Sequence, residues 1–449
     1  MKLYLQQHKS LLISGLLSTV VYIYLALGSQ AYGDINLQQL LISATFCMLT
    51  CLITWSHYYR NNKQIHLGTV LGFAILFRFL GVCTFPILED DIYRYLWDGR
   101  ATVELGSPYG FSPATFFDSN DINFKFESIL GLINYPEVAT IYGPSSQLLF
   151  ALAYKISPGE IWPLQMLFAC ADIALLFVLI KLTKPLALLL YAWSPLIIKE
   201  IAITAHPDGV GALLLILAFL TYQRRNWYFT GVLLALAIGV KVFAFMLIPF
   251  LLGFKWRGWL AFIVTATLIA LPFVNFTTIN ELGNELLSVW LPIGLKEMGS
   301  SWLFNAPLYL IFSKWFAITN IKLTLLTLLA LGCATYYFYV IKNWPTKIIR
   351  GDLLFAALFI CAPAFNPWYL AWLLPFAAIY PSVWAWAASY SLFFAYASGI
   401  NLPNSELDSY EQPYWLVMFE FAFILFAIAI GPKLIQIKKI NSKTDRVTN

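Results

Sequence analysis

The sequence predicts an all-α polytopic membrane protein, a bundle of about 12–14 transmembrane helices with one large structured loop. Three observations predict it. Of 449 residues, 60% are apolar and only 11% charged. Mean hydropathy is +0.72. The apolar residues also run in continuous windows rather than alternating, which speaks against an outer-membrane barrel. A soluble chain carries roughly 25% charged residues, so soluble enzymes, coiled coils, collagen-like repeats and disordered chains are excluded. A spanning segment must satisfy its own backbone hydrogen bonds, which favours helices.

Judged against the roughly 20 residues a spanning helix needs, apolar windows fall near 10–28, 38–57, 67–87, 161–180, 186–203, 208–223, 228–240, 242–253, 258–275, 321–341, 352–363, 367–380, 383–400 and 414–432. The first follows Lys2 and Lys9 and precedes Ser29-Gln30-Ala31. That pattern could be a cleaved leader, but further windows follow, and an uncleaved first span is expected. Several later windows are short and form tilted or broken spans. Segments 145–157 and 302–316 read as partial or re-entrant helices. The six cysteines lie in apolar stretches without metal-ligand spacing and read as small core residues.

The net charge of +5 needs no nucleic-acid partner. Lys2, Lys9, Arg60, Lys63, Lys181, Lys184, Arg224, Arg225, Lys255, Arg257, Lys342, Lys347, Arg350 and a basic tail over 433–449 can all face one side. The positive-inside rule makes that side the cytoplasm, with both termini there, in the inner (cytoplasmic) membrane. The whole chain, 1–449, is then one membrane domain.

Residues 88–144 form the longest polar interruption and fall on the opposite, outer side. They hold Glu89, Asp90, Asp91, Asp98, Glu104, Asp118, Asp121, Glu127 and Glu137 against Arg94, Arg100 and Lys125. Long structured loops are usually functional. Within it, Glu89 to Arg100 reads as a helix lying at the membrane surface, stopped by Gly106-Ser107-Pro108-Tyr109. Asp91, Arg94, Tyr95 and Asp98 share its polar face, at i, i+3, i+4 and i+7, and Leu96 and the aromatic rings lie towards lipid. Asp90 and Asp91 could simply favour the helix N-terminus. Three adjacent carboxylates repel one another, however, and an ionisable cluster beside a span is a functional hypothesis by default.

The string Asp90-Asp91-Ile92-Tyr93-Arg94-Tyr95-Leu96-Trp97-Asp98-Gly99-Arg100 resembles the first outer loop of GT-C glycosyltransferases, in particular the bacterial polyprenyl-phosphate-mannose-dependent mannosyltransferases. Tyr142-Gly143-Pro144, Trp193-Ser194-Pro195-Leu196, His206-Pro207-Asp208, Lys241 and Pro367-Trp368-Tyr369 fit the same pattern, over about residues 67–380. The resemblance implies a GT-C-like bundle and an inverting transfer of a hexose, mannose first, from a polyprenyl-phosphate donor to a glycan or lipid acceptor at the outer face. It also implies that a carboxylate of the first loop acts as general base.

Asp91 is the first choice for that base and Asp90 the second, orienting acceptor or holding a cation. The leaving lipid phosphate wants Lys or Arg nearby, and Lys241, Arg94 and Arg78 are the candidates. Arg78 could equally be a structural ion pair, and Lys241 could merely snorkel. Tyr95, Asp98, Arg100, Tyr142, His206 and Asp208 are candidate substrate contacts. Trp368 and Tyr369 read as interfacial belt aromatics or as sugar platforms. No cofactor is required, although a divalent cation, Mg or Mn, could be held. From another class, a transporter or flippase for a lipid-linked sugar or small solute would place charges at mid-span in paired halves. A polymerase or ligase of lipid-linked glycans would use a large later loop.

Overall fold

The computed structural model describes residues 8–31, 33–119, 122–274, 282–343, 349–380, 382–402 and 405–444, with no side chains for 282, 298–301 and 432–444. Lys2, Asp121, Lys347 and residues 445–449 of the basic tail lie outside the described residues. Among the described residues the chain is helical, with a single isolated bridge between Phe304 and Ala364.

In chain order the helices are α1 Lys9–Gly28, α2 Leu37–Arg60, α3 Leu67–Val82, α4 Asp91–Glu104, α5 Phe124–Leu130, α6 Pro144–Ile156, α7 Trp162–Leu179 and α8 Pro185–Ala192. Then come α9 Pro195–Ile203, α10 Asp208–Gln223, α11 Trp227–Val240, α12 Val242–Leu251 and α13 Trp256–Phe273. The remainder are α14 Leu282–Trp290, α15 Ile293–Ser301, α16 Pro307–Phe312, α17 Ile318–Lys342, α18 Gly351–Cys361, α19 Pro367–Ile379, α20 Val383–Ser391 and α21 Tyr414–Thr444. Six of these (α1, α2, α7, α13, α17, α21) have the length and apolarity of membrane spans. The pair α8 and α9 would form a seventh, bent by 43° at its break. Helices α3, α10, α11, α12, α18 and α19 are apolar but shorter.

Local sequence explains the starts and breaks. Asn36 caps α2 by accepting from the Gln39 amide at 3.0 Å, while Gln39 accepts from the Asn36 amide at 2.9 Å. Proline opens α6, α8, α9, α16 and α19, where its missing N–H costs nothing. Helix α9 widens into a π turn over Ile198–Ile203. The chain then breaks at Ala205 (φ +55) and Pro207 before α10 starts at Asp208. Such π turns often mark functional sites. Segment 145–157 forms α6, whose 13 residues reach about 20 Å, less than a bilayer core. Segment 302–316 contains only the short α16.

Two sequence expectations need correcting. Helix α4 does not turn Leu96 and its rings to lipid: every residue from Ile92 to Ala101 is buried. Trp97 packs on Phe116, and Arg100 lies over Trp97 and Phe126, so the 105–143 segment covers the face that was assigned to lipid. The other side seats against α6 at Gly99, where a Cβ would fall 2.5 Å from the Phe150 carbonyl oxygen. Protein, not lipid, satisfies this helix. The cysteines are also not uniformly core residues, since Cys47 and Cys51 are buried whereas Cys83, just after α3, and Cys170, on α7, are exposed.

Candidate active site

The break before α4 places three consecutive carboxylates at the mouth of the bundle. Glu89, Asp90 and Asp91 each present one carboxylate oxygen within 4.8 Å of the others. They line a cleft of about 990 Å³, its open mouth included, together with Arg94, Tyr142, Lys241, Trp368 and Tyr369. Glu89 points its Oε1 at the amides of Asp90 (3.3 Å) and Asp91 (3.4 Å) and so caps the helix. The helix N-terminus, read in the sequence as the place of Asp90 and Asp91, is thus also met by Glu89, and all three carboxylates line the cleft.

Asp90 accepts from Asn134 Nδ2 at 2.7 Å and from the Tyr410 hydroxyl at 2.8 Å. Asp91 accepts from Asn134 Nδ2 at 3.2 Å on Oδ1, and from the Tyr142 hydroxyl at 3.2 Å on Oδ2. The Tyr95 hydroxyl lies 3.4 Å from the same Oδ2 and 2.9 Å from His206 Nδ1. These donors fix the orientation of Asp91 while it still borders the cleft.

Burial, with the Asp91 carboxylate beside it, pushes the Asp90 carboxyl up to about 6. Burial first, then Asp91, also raises Glu89 well above the usual carboxylate range. Asp90 therefore gains its charge only above about pH 6. We expect any catalysis in this cleft to fall as pH drops through that value. In Asp90→Asn the acid limb of kcat/KM, measured from about pH 5 to 8, should move lower. An unmoved limb would refute the assignment.

The cation side is built by another break. Lys241 is the single extended residue between α11 and α12, with φ −156° and ψ 141°. Its Nζ lies 3.0 Å and 3.2 Å from the two Asp208 oxygens, and 4.8 Å from the Tyr369 ring centroid. Asp208 is fully buried and also accepts from Trp372 Nε1 at 2.7 Å. Lys241 thus does more than snorkel, because it pairs with a buried carboxylate and borders the cleft.

His206 stacks on Trp368, with centroids 4.1 Å apart. The Trp368 and Tyr369 rings stand in the cleft wall. Arg94 also borders the cleft, but it is tied to Asp98 at 3.3 Å and to the Val138 carbonyl. Asp98 sits behind it, accepting from Thr140 at 2.5 Å and Gln147 at 2.9 Å. Asp98 therefore braces Arg94 and does not line the cleft. Arg100 pairs with Glu104 at 2.7 Å, outside the cleft lining. Tyr95 and His206 are likewise absent from that lining and act from behind Asp91.

Arg78 is not a phosphate ligand. It is fully buried in α3, with Nε 2.7 Å from Asp172 Oδ2 and Nη1 2.8 Å from the Ala192 carbonyl oxygen. The Tyr191 hydroxyl donates to Asp172 Oδ1 at 2.6 Å. Of the two readings open in the sequence, the structural ion pair is the one formed.

Sequence reasoning missed Asn134, Tyr410, Trp302 and Tyr396 in the cleft wall. It also missed the buried Lys199–Glu200 pair at 3.4 Å, whose Glu200 Oε2 lies 3.5 Å from His206 Nε2. Two adjacent charges inside the 186–203 apolar window were the available signal for that pair. Tyr410 had none.

Carboxylates and a cation thus meet in one cleft of a helical membrane bundle, the kind of polar site an enzyme uses. Among known families, residues 24–257 match the alpha-(1->6)-mannopyranosyltransferase N-terminal domain, just over half the chain. The chain belongs to that family and is a membrane mannosyltransferase, a glycosyltransferase of GT-C type. The matched stretch contains the three carboxylates, Tyr142, His206, Asp208 and Lys241, while Trp368 and Tyr369 lie beyond it. Neither the curated proteins nor the solved structures contain a match to this chain.

Proposed function

We propose that the protein transfers mannose from a polyprenyl-phosphate donor to a glycan or glycolipid acceptor, with inversion, at the extracytoplasmic face of the inner membrane. The observation that carries this reading is the meeting of Asp91 and Lys241 in one cleft. An acceptor hydroxyl loses its proton to Asp91 as its oxygen bonds to the anomeric carbon. The bond from that carbon to the phosphate oxygen breaks, and polyprenyl phosphate leaves with the electron pair. Lys241, with Arg94 beside the same cleft, stabilises the growing phosphate charge, where fixed charges in a site shielded from water act strongly.

A lipid donor also accounts for the many spans, since its tail must lie among helices while its head meets water. Glu89, Asp90 and Asp91 form the only group among the described residues able to hold a divalent cation. Their oxygens suit Mg or Mn, but the reading does not require one.

Reconstituted protein should use polyprenyl-phosphate mannose and fail with a nucleotide-linked mannose. Lys241→Met should raise the donor KM about tenfold or more and leave the acceptor KM alone. Lys241→Arg, which keeps the pair with Asp208, should recover much of the loss. Nucleotide-linked mannose as the working donor, or an unchanged donor KM, would refute it.

A further inference from the structure

The cleft wall carries a group of aromatic rings that the chemistry above does not use. Tyr135 lies 5.2 Å from Tyr410 and 6.5 Å from Trp302, ring centroid to ring centroid. All three rings are half-buried and line the cleft. Ordinary core packing would have hidden them.

Their placement is costly and specific. Tyr135 has φ +46°, a left-handed conformation that a bulky side chain rarely adopts. It stands between Asn134, whose side chain donates to both Asp90 and Asp91, and Pro136. Tyr410 reaches the same place from the far end of the chain and donates its hydroxyl to Asp90. The loop carrying it is pinned by Ile400 N to Ser409 O at 2.7 Å and Gly399 N to Glu411 O at 3.0 Å. A side chain at Gly399 would collide with the Asp408 carbonyl oxygen at 2.2 Å. Strained backbone of this kind gathers at ligand sites.

We propose that Tyr135, Trp302 and Tyr410 form the acceptor subsite, a platform for the hexose ring whose hydroxyl is glycosylated. This rests on the transferase reading above. Rigid aromatic faces take the apolar face of a sugar, while planar polar groups such as Asn134 and Asp90 at its rim take hydroxyls. The position selects acceptor over donor. An in-line displacement puts the attacking hydroxyl opposite the leaving phosphate. Of the trio, Tyr410 donates to Asp90 and Tyr135 follows Asn134, which donates to Asp90 and Asp91, whereas the rings that Lys241 approaches are Tyr369 and Phe243.

The test uses the full chain in lipid nanodiscs with methyl α-mannoside as probe. Binding is measured by saturation-transfer NMR, and transfer separately. Wild-type protein should bind the probe saturably. Tyr135→Ala and Trp302→Ala should weaken binding and raise the acceptor KM about tenfold, with the donor KM unchanged. Tyr135→Phe, which keeps the ring face, should behave as wild type. No saturable binding by wild-type protein, equal binding by folded Tyr135→Ala, or a loss confined to the donor KM would overturn the subsite. Binding that follows this pattern without any mannosyl transfer would support the subsite and sink the transferase mechanism instead.

Discussion

Asp91→Asn is expected to cut mannosyl transfer by about 10²–10⁴-fold, the range a positioned general base contributes. The substitution is nearly isosteric. Its amide oxygen can still accept from Tyr142 at the position now 3.2 Å from that hydroxyl, so the fold should survive and both substrates should still bind. The loss should therefore fall on kcat. Asp90→Asn should be the milder change, because Asp90 is held by Asn134 and Tyr410 and acts beside the base. Initial rates in detergent-purified, monodisperse protein decide the matter. Transfer by Asp91→Asn within about tenfold of wild type would remove Asp91 from the base role. A deeper loss in Asp90→Asn would exchange the two assignments.

Arg78→Met should have the largest effect on stability and no specific effect on the donor. It would strand Asp172, fully buried, with only the Tyr191 hydroxyl for company. Removing one partner of a buried pair costs about 3–5 kcal/mol, because the remaining charge has no compensation. A neutral pair need not be worse than the ionic one. Arg78→Met combined with Asp172→Asn should therefore recover much of the loss, a non-additivity expected of touching residues. Thermal unfolding in detergent, followed for both singles and the double, reads this directly. If Arg78→Met were as stable as wild type yet bound donor more weakly, the ion pair would not be its role.

Much of the candidate site was legible because charge is scarce in this chain. With 11% charged residues, a run of three carboxylates beside a span is conspicuous, and so is a lone lysine between two apolar stretches. Tyr142, His206 and Asp208 belonged to short motifs; Tyr142 lies beside Asp91, Asp208 beside Lys241, and His206 meets Tyr95. Periodicity grouped Asp91, Arg94, Tyr95 and Asp98 on one face of α4 but could not say what each face meets. Helical spacing suggested lipid for Leu96, and the covering segment buries it instead. Within the grouped face, Arg94 pairs one helical turn onward with Asp98.

Partners distant in sequence were out of reach for a different reason. Tyr410 joins Asp90 across 320 residues and Trp372 joins Asp208 across 164. No local preference encodes such a meeting. Arg78 shows the limit most plainly, since one buried cation in a span reads equally as a ligand or as half of an ion pair until its partner on another helix is known.

By itself the sequence determined the class, an all-helical membrane bundle, and the family, because hydropathy and short motifs are properties of neighbouring residues. It also determined where the carboxylates would gather, since unpaired charge is excluded from the apolar windows. Only the tertiary structure decided which of those groups share a cleft, which brace one another, and which rings stand beside them. Those facts depend on how helices separated by hundreds of residues pack, and on what each buried polar group must find to offset its lost water.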